Sequence, residues 1–308
     1  MDRLFLRLVG VSGLNVFINI TNMMFLIYCF HLKNFHRKRD KENGTTTIKN
    51  IEEKLQETIG EENMARHPMS WYAAEEDDLV LATWHFSGWY CGALFPDPEC
   101  LMLSGEQDKL SEAAQKKSFE FYKRSMQKFM YRRGDGKALL SKNHMINFMP
   151  MLAKEFPNAK FVDIVRHPKD AFISFYVLAQ GTLSVTSREP IETKTAVETH
   201  LRFWDKFTKA ETDFFIKDAG YGATKDNRTM ITFDNYIKDQ EAVARQLYKQ
   251  WNFPVEGTKF EERLIADRES HKSYKKNAGY SNPTLDDLGI TKDIVSERYA
   301  DYLTECKI

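Results

Sequence analysis

Residues 161–176 read FVDIVRHPKDAFISFY. The stretch begins as a short apolar run suited to a buried strand and ends with the spacing of a helix, with Arg166, His167 and Pro168 packed into the turn between them. Proline suits a first helical turn because its missing N–H would have no partner there. The chain therefore leaves a strand and enters a helix with an arginine at the junction. In an open parallel sheet the carboxyl ends of the strands are where ligands bind. Ser174 follows Arg166 by eight residues, within the helix. An arginine fork, a hydroxyl and the amides of a helix start together form a donor set suited to phosphate.

The flanking sequence extends the unit in both directions. ALLS, from Ala138, reads as a short apolar strand that delivers Lys142, Asn143 and His144 at its end. A helix is predicted from Pro150 to Phe156, PNA turns the chain, and KFVDIV is the next strand. A connection containing a helix predicts that these two strands pair in parallel, so both bring basic groups to one rim. There His144 is placed to take a proton from an attacking hydroxyl. Phe119, Tyr122, Met126 and Phe129 mark a helix over 112–133 with one buried face, and Leu201, Trp204, Phe207 and Phe214 mark another over 196–217. TMITF (229–233) is a third strand and 235–252 a further helix. The pattern is α/β, without internal repeats.

Composition allows one large core. The chain has 308 residues, 42% of them hydrophobic and 13% aromatic. Its 44 basic and 44 acidic side chains cancel, so an anion site must be built locally, and no global field marks a nucleic-acid binder. Cys29, Cys91, Cys100 and Cys306 are too few and too scattered for a disulfide framework, and no CxxC pair suggests zinc.

The first residues differ from the rest. Leu8 to Phe30 carries no charge and is long enough to span a bilayer as a single helix, although three asparagines make it less apolar than most spans. The same segment can equally be a decayed strand, loop and helix belonging to the fold. The basic cluster Lys33, Arg37, Lys38, Arg39 and Lys41 would keep the bulk of the chain cytosolic, whereas sequons at Asn19, Asn43 and Asn227 argue for the opposite face. Membrane association is expected, with its orientation open. Basic clusters next to a membrane segment are common, so residues 31–39 give no reason to expect nucleic acid. The expected organisation is a hydrophobic segment over 1–37, a charged linker and helix over 38–63, and a catalytic-type domain over 64–308.

KNH followed by FPNAKFVDIVRHPKDAFISFY resembles the core of the sulfotransferases that use 3′-phosphoadenosine 5′-phosphosulfate, PAPS. HPMSWYAAEEDDLVLA, ITFDNYIKDQEAVARQLYKQWNF and HKSYKKNAGYSNPTLDDLGI are similar to the corresponding parts of that family's broad third branch, and together they cover about residues 64 to 304. The resemblance implies a three-layer α/β sandwich with a central parallel sheet, of the P-loop-like sulfotransferase architecture. It implies His144 as catalytic base, Lys142 beside the sulfuryl group, and Arg166 with Ser174 on the 3′-phosphate. Lys275, Lys276 and Asn277 would correspond to the basic loop that closes on the nucleotide. PAPS is the implied co-substrate, no metal is needed, and the partner is a small-molecule, lipid or glycan hydroxyl acceptor. The loops 70–110 and 177–195 are expected to form the acceptor pocket.

The chain departs from the family at one place. The loop of the type P-K/R-S-G-T-T that cradles the 5′-phosphosulfate has no clear counterpart; GVSGLN (10–15) keeps Ser12 and Gly13 but lacks the basic residue and the paired threonines. Losing one such electrostatic contact costs about 2–4 kcal/mol of transition-state stabilisation. Sulfuryl transfer is therefore expected alongside an alternative, a catalytically impaired relative that serves as a membrane-linked binding protein. A nucleotide kinase is disfavoured, since neither GxxxxGK[ST] nor a carboxylate pair for magnesium is evident. The individual residues also have plainer readings: His167 as structural, Arg166 as a partner of Asp163 or Asp170, Ser174 as an ordinary helix residue, and Trp71, Trp84, Trp89 and Tyr90 as core or pocket wall.

Overall fold

The computed structural model describes residues 110–133, 138–142, 148–184, 191–217, 227–274 and 282–308, with scattered positions between 41 and 102. The described residues are mainly helical, with a small parallel sheet of two strands. In chain order they form α1 (Glu112–Arg133), α2 (Met149–Glu155), β1 (Phe161–Val165), α3 (Pro168–Ser184), α4 (Thr193–Thr212), β2 (Arg228–Thr232), α5 (Phe233–Lys238), α6 (Gln240–Gln250), α7 (Lys259–Tyr274), α8 (Lys292–Arg298) and α9 (Ala300–Cys306). The chain divides into two compact units, Met1–Asn147 with Tyr176–Phe203, and Phe148–Phe175 with Trp204–Ile308.

In the first unit, α1 occupies the residues its spacing predicts, but only half of the expected face is covered. Phe119 and Tyr122 are buried, whereas Phe129 is 53% exposed. Residues 138–142 form no strand, which corrects the reading of ALLS. Leu140 is 94% exposed, and a strand with neither a partner nor a buried face has nothing to hold it. This stretch is instead tied to α1 by the Tyr122 hydroxyl, 3.3 Å from Ser141 Oγ. Elsewhere in this unit the Tyr176 ring packs 5.1 Å from His200, and Arg202 grips Glu99 through bonds of 2.6 and 3.2 Å. The expected pocket loop 177–195 is helical at both ends, through α3 and the start of α4.

Of the stripe the sequence suggested, Phe214, just beyond α4, is fully buried, and α4 itself buries Ala196, Val197 and Phe203 beside several polar residues. Thr199, His200, Thr208, Glu211 and Thr212 are buried, while Leu201, Trp204 and Phe207 are half-buried. Thr199, Thr208 and Thr212 donate their hydroxyls to the carbonyls of Thr195, Trp204 and Thr208, one turn back. A threonine satisfied by its own helix enters a core without leaving a donor unpaired. The helix ends at Thr212 and passes into a π-turn, Asp213–Lys217.

In the second unit, β1 pairs in parallel with β2, with Phe161 opposite Arg228 and Val165 opposite Thr232. The run expected as a third strand is thus the direct neighbour of FVDIV among the described residues. Ala153, Phe161 and Phe214 form a core with Met149, Leu152, Ala159 and Phe215 around it. Phe161 meets Phe214 edge to face at 5.1 Å. The Arg228 guanidinium lies 4.3 Å from the centre of the Phe214 ring and donates to the Phe214 carbonyl, fastening the π-turn to the sheet. Asn227 is buried and its amide nitrogen donates to the Pro157 carbonyl at 2.8 Å. That nitrogen is the one a glycan would need, so Asn227 lends no weight to a lumenal orientation.

The helix expected over 235–252 is broken in two. Asp239 leaves the helical region at φ −153° and its side chain accepts from Ala242 N at 2.9 Å, capping α6. Asp239→Ala is expected to cost about 1 kcal/mol, read as a lower urea midpoint with an unchanged slope. At the start of helix α7, Thr258 Oγ1 accepts from Glu261 N, and the Glu261 carboxylate reaches back to accept from Gly257 N. Arg298 of α8 grips Asp205 of α4 through bonds of 2.7 and 2.5 Å.

The candidate anchor 8–30 and the cysteines 29, 91 and 100 lie outside the described residues. Among the described residues, no helix is long and apolar enough to cross a membrane. Cys306 is a free thiol.

Candidate functional site

The site is built on the carboxyl ends of β1 and β2, where each strand passes almost directly into a helix. His167 accepts a bond from Lys169 N on its Nδ1 at 3.3 Å, and its carbonyl accepts from Asp170 N and Ala171 N, both at 3.0 Å. Burial, aided by the charge of Lys169, lowers the His167 pKa, which keeps the ring neutral and able to accept. His167 thus closes the start of α3, with Pro168 fixing the first turn. On the neighbouring strand, Thr232 caps α5 by accepting from Asn235 N at 3.4 Å.

Arg166 stands between these two helix starts, half-buried. Among the described residues it forms neither an ion pair nor a hydrogen bond. Its guanidinium carbon lies 4.6 Å from the centre of the Phe233 ring. Asp170 is exposed in the first turn of α3 and makes no ion pair with Arg166, and Asp163 lies against Glu211. A buried pairing with either carboxylate, the plain reading of Arg166, is therefore not what the fold builds. The result is a planar set of N–H donors, held at one face and uncommitted at its edge.

The other expected site residues are distributed unevenly. Ser174 is half-buried in α3, six residues beyond Pro168, or about 9 Å of helix rise. No hydrogen bond joins it to Arg166. Lys142 is exposed, in the irregular stretch 138–142 and not at a strand end. His144, Asn143, Ser12, Gly13, Lys275, Lys276 and Asn277 lie outside the described residues.

A family model described as the sulfotransferase family matches residues 42–257. The chain belongs to that family. The match takes in Lys142, His144, Arg166 and Ser174, begins beyond Ser12 and Gly13, and ends before Lys275. No curated protein and no solved structure matches the chain. Membership brings sulfuryl transfer as the family's general chemistry.

This sulfotransferase family member also carries a buried acid pair that sequence reasoning missed. Asp163 lies at the middle of β1 and Glu211 in the last turn of α4, and their carboxyls meet in the interior. Asp163 Oδ2 and Glu211 Oε2 are buried without a hydrogen-bond partner. Burial holds both carboxyls above the ordinary carboxylate range, and Asp163 adds its own charge to the effect on Glu211. Two carboxyls in such contact share a proton. The Tyr302 hydroxyl bonds Glu211, and burial beside it pushes the Cys306 thiol up to about 12. A thiol so protonated is no nucleophile at neutral pH. The cluster joins α9 to β1 and α4. Its one signal in the sequence was a charged residue at the centre of an otherwise apolar strand.

Proposed function

We propose that the protein transfers a sulfuryl group from PAPS to a hydroxyl acceptor, with Arg166 holding the 3′-phosphate of the nucleotide. The observation that supports this most directly is the state of Arg166: at the mouth of β1, restrained by Phe233, and paired with no carboxylate among the described residues. Such a guanidinium offers parallel donors to an anion without first breaking an internal bond. In this reading Ser174 and the first amides of α3 share the phosphate, and Lys275, Lys276 and Asn277 close on it. Ser12 and Gly13 are the remnant of the 5′ loop. The architecture is the P-loop-like three-layer sandwich, of which β1 and β2 are two neighbouring strands.

The chemistry then needs a base. A neutral His144 removes the acceptor proton, the oxygen attacks sulfur in line, and the nucleotide phosphate leaves while Lys142 offsets charge on the sulfuryl group. A second reading, a relative that keeps the nucleotide pocket but turns over poorly, is favoured by GVSGLN, which lacks the basic residue and the paired threonines. One set of measurements separates them. The full-length protein should bind 3′,5′-adenosine bisphosphate in a calorimeter, and Arg166→Ala should weaken that binding at least thirtyfold, the loss of about 2 kcal/mol of charge-assisted bonding. His144→Ala should leave binding intact and remove turnover of labelled PAPS. An Arg166→Ala protein that binds like the wild type overturns the nucleotide assignment. Wild-type binding without turnover selects the second reading.

A further inference from the structure

We infer that Phe233 is the positioning residue for Arg166, holding the guanidinium in the plane from which it meets an anionic phosphate. This inference rests on the reading of Arg166 as a phosphate ligand. The contact is set by the sheet itself. Val165 pairs with Thr232 in the parallel ladder, so the next residue of each strand brings Arg166 and Phe233 together. Thr232 caps α5 at that point, which fixes the backbone where the ring begins. The ring also neighbours that of Tyr236, tilted by 41° with centroids 6.5 Å apart.

A long arginine side chain loses much rotamer freedom on binding, and whatever restrains it beforehand reduces that cost. A carboxylate would restrain it too, but would occupy the donor fork and cancel the charge. An aromatic face attracts the cation through its quadrupole and leaves every N–H in the plane available. Phe233 therefore solves a problem that Asp or Glu at the same place would not: it orders Arg166 without consuming its donors.

The test uses calorimetry with 3′,5′-adenosine bisphosphate and side-chain NMR of the full-length protein. Phe233→Leu, which keeps an apolar side chain of similar bulk at a half-buried position, should weaken binding about five- to tenfold, and Phe233→Tyr should restore it. In an Arg166→Ala background, Phe233→Leu should change nothing further, because the ring acts through the arginine. A further loss of similar size in that background overturns the proposal, since the ring would then touch the nucleotide itself. Unchanged binding by Phe233→Leu alone overturns it equally. The ligand-free readout is the Arg166 Nε–H resonance, which should be shifted upfield by the ring current, move back in Phe233→Leu and stay in Phe233→Tyr. A resonance indifferent to Phe233→Leu overturns the contact whatever the ligand does. If the resonance responds but the wild type binds no nucleotide, the nucleotide reading fails and the phosphate-positioning role fails with it, while the contact itself stands.

Discussion

Glu211→Gln is expected to make the protein more stable in mild alkali, with a melting temperature at pH 8.5 above that of the wild type. In the wild type, Asp163 and Glu211 have native pKa values raised above their unfolded values, chiefly by burial. A raised carboxyl contributes its full share to stability below the unfolded carboxylate pKa and loses it as pH rises through the native value. Each pKa unit of elevation removes about 1.4 kcal/mol once the pH exceeds the native value. Glutamine replaces the shared proton with a permanent amide donor, so Asp163 ionises without meeting a second charge.

His200 runs the other way. Burial lowers its pKa to about 4, so its contribution is present above the unfolded histidine value and lost as pH falls toward 4. Between the two carboxylate and histidine limits the effects oppose each other. Above about pH 7 the histidine is neutral in both states, but Cys306, pushed up to about 12 in the native protein, also loses stability as the unfolded thiol ionises, so the acid pair is read from the difference between the wild type and Glu211→Gln. As pH rises from the ordinary carboxylate range to 8.5, the melting temperature of the wild type should fall more than that of Glu211→Gln. Parallel profiles would mean that the two carboxyls do not share a proton.

Phe214→Ala is expected to be the most damaging single core change, at about 3–5 kcal/mol. Phe214 is 0% exposed and lies in the π-turn, where α4 gives way to the chain leading to β2. Its ring takes the edge of Phe161, meets Phe215 at 5.1 Å and carries the Arg228 guanidinium on its face. Alanine leaves a void and removes the ring beneath a buried cation, and both terms have the same sign. For a domain of this size the melting temperature should drop by roughly 10 °C, with Phe214→Leu recovering much of it. A drop of only a degree or two would mean that the π-turn is not packed on the sheet.

Much of this was legible in the sequence where local chemistry and burial agree. FVDIVRHPKD yields a strand, a turn and a helix because apolar run, proline and helical spacing all change over at one place. TMIT was recognisable as a strand for the same reason. ALLS was misread because a short apolar run does not reveal whether anything covers it, and Leu140 is left in water. The long helices were found, but the buried side of α4 was not, since three threonines that bond their own helix read as polar and behave as core. Arg166 was found from its place at a strand end. Phe233 and Glu211 were not, because what distinguishes them is a neighbour far away in the chain. Asp239 was passed over inside an amphipathic run, and it is the residue that stops the run.

The register of the two strands has a consequence for how this protein can vary. Arg166 and Phe233 face one another only because Val165 stands opposite Thr232 and each of the two is the first residue beyond its strand. One residue added between Phe161 and Arg166 would turn the arginine to the other side of the sheet. The same addition between Arg228 and Phe233 would offer it a threonine in place of a ring. Length changes should therefore accumulate between the strands and be scarce within them, so that spacing along each strand, more than the identity of most residues in it, is what descent has to keep.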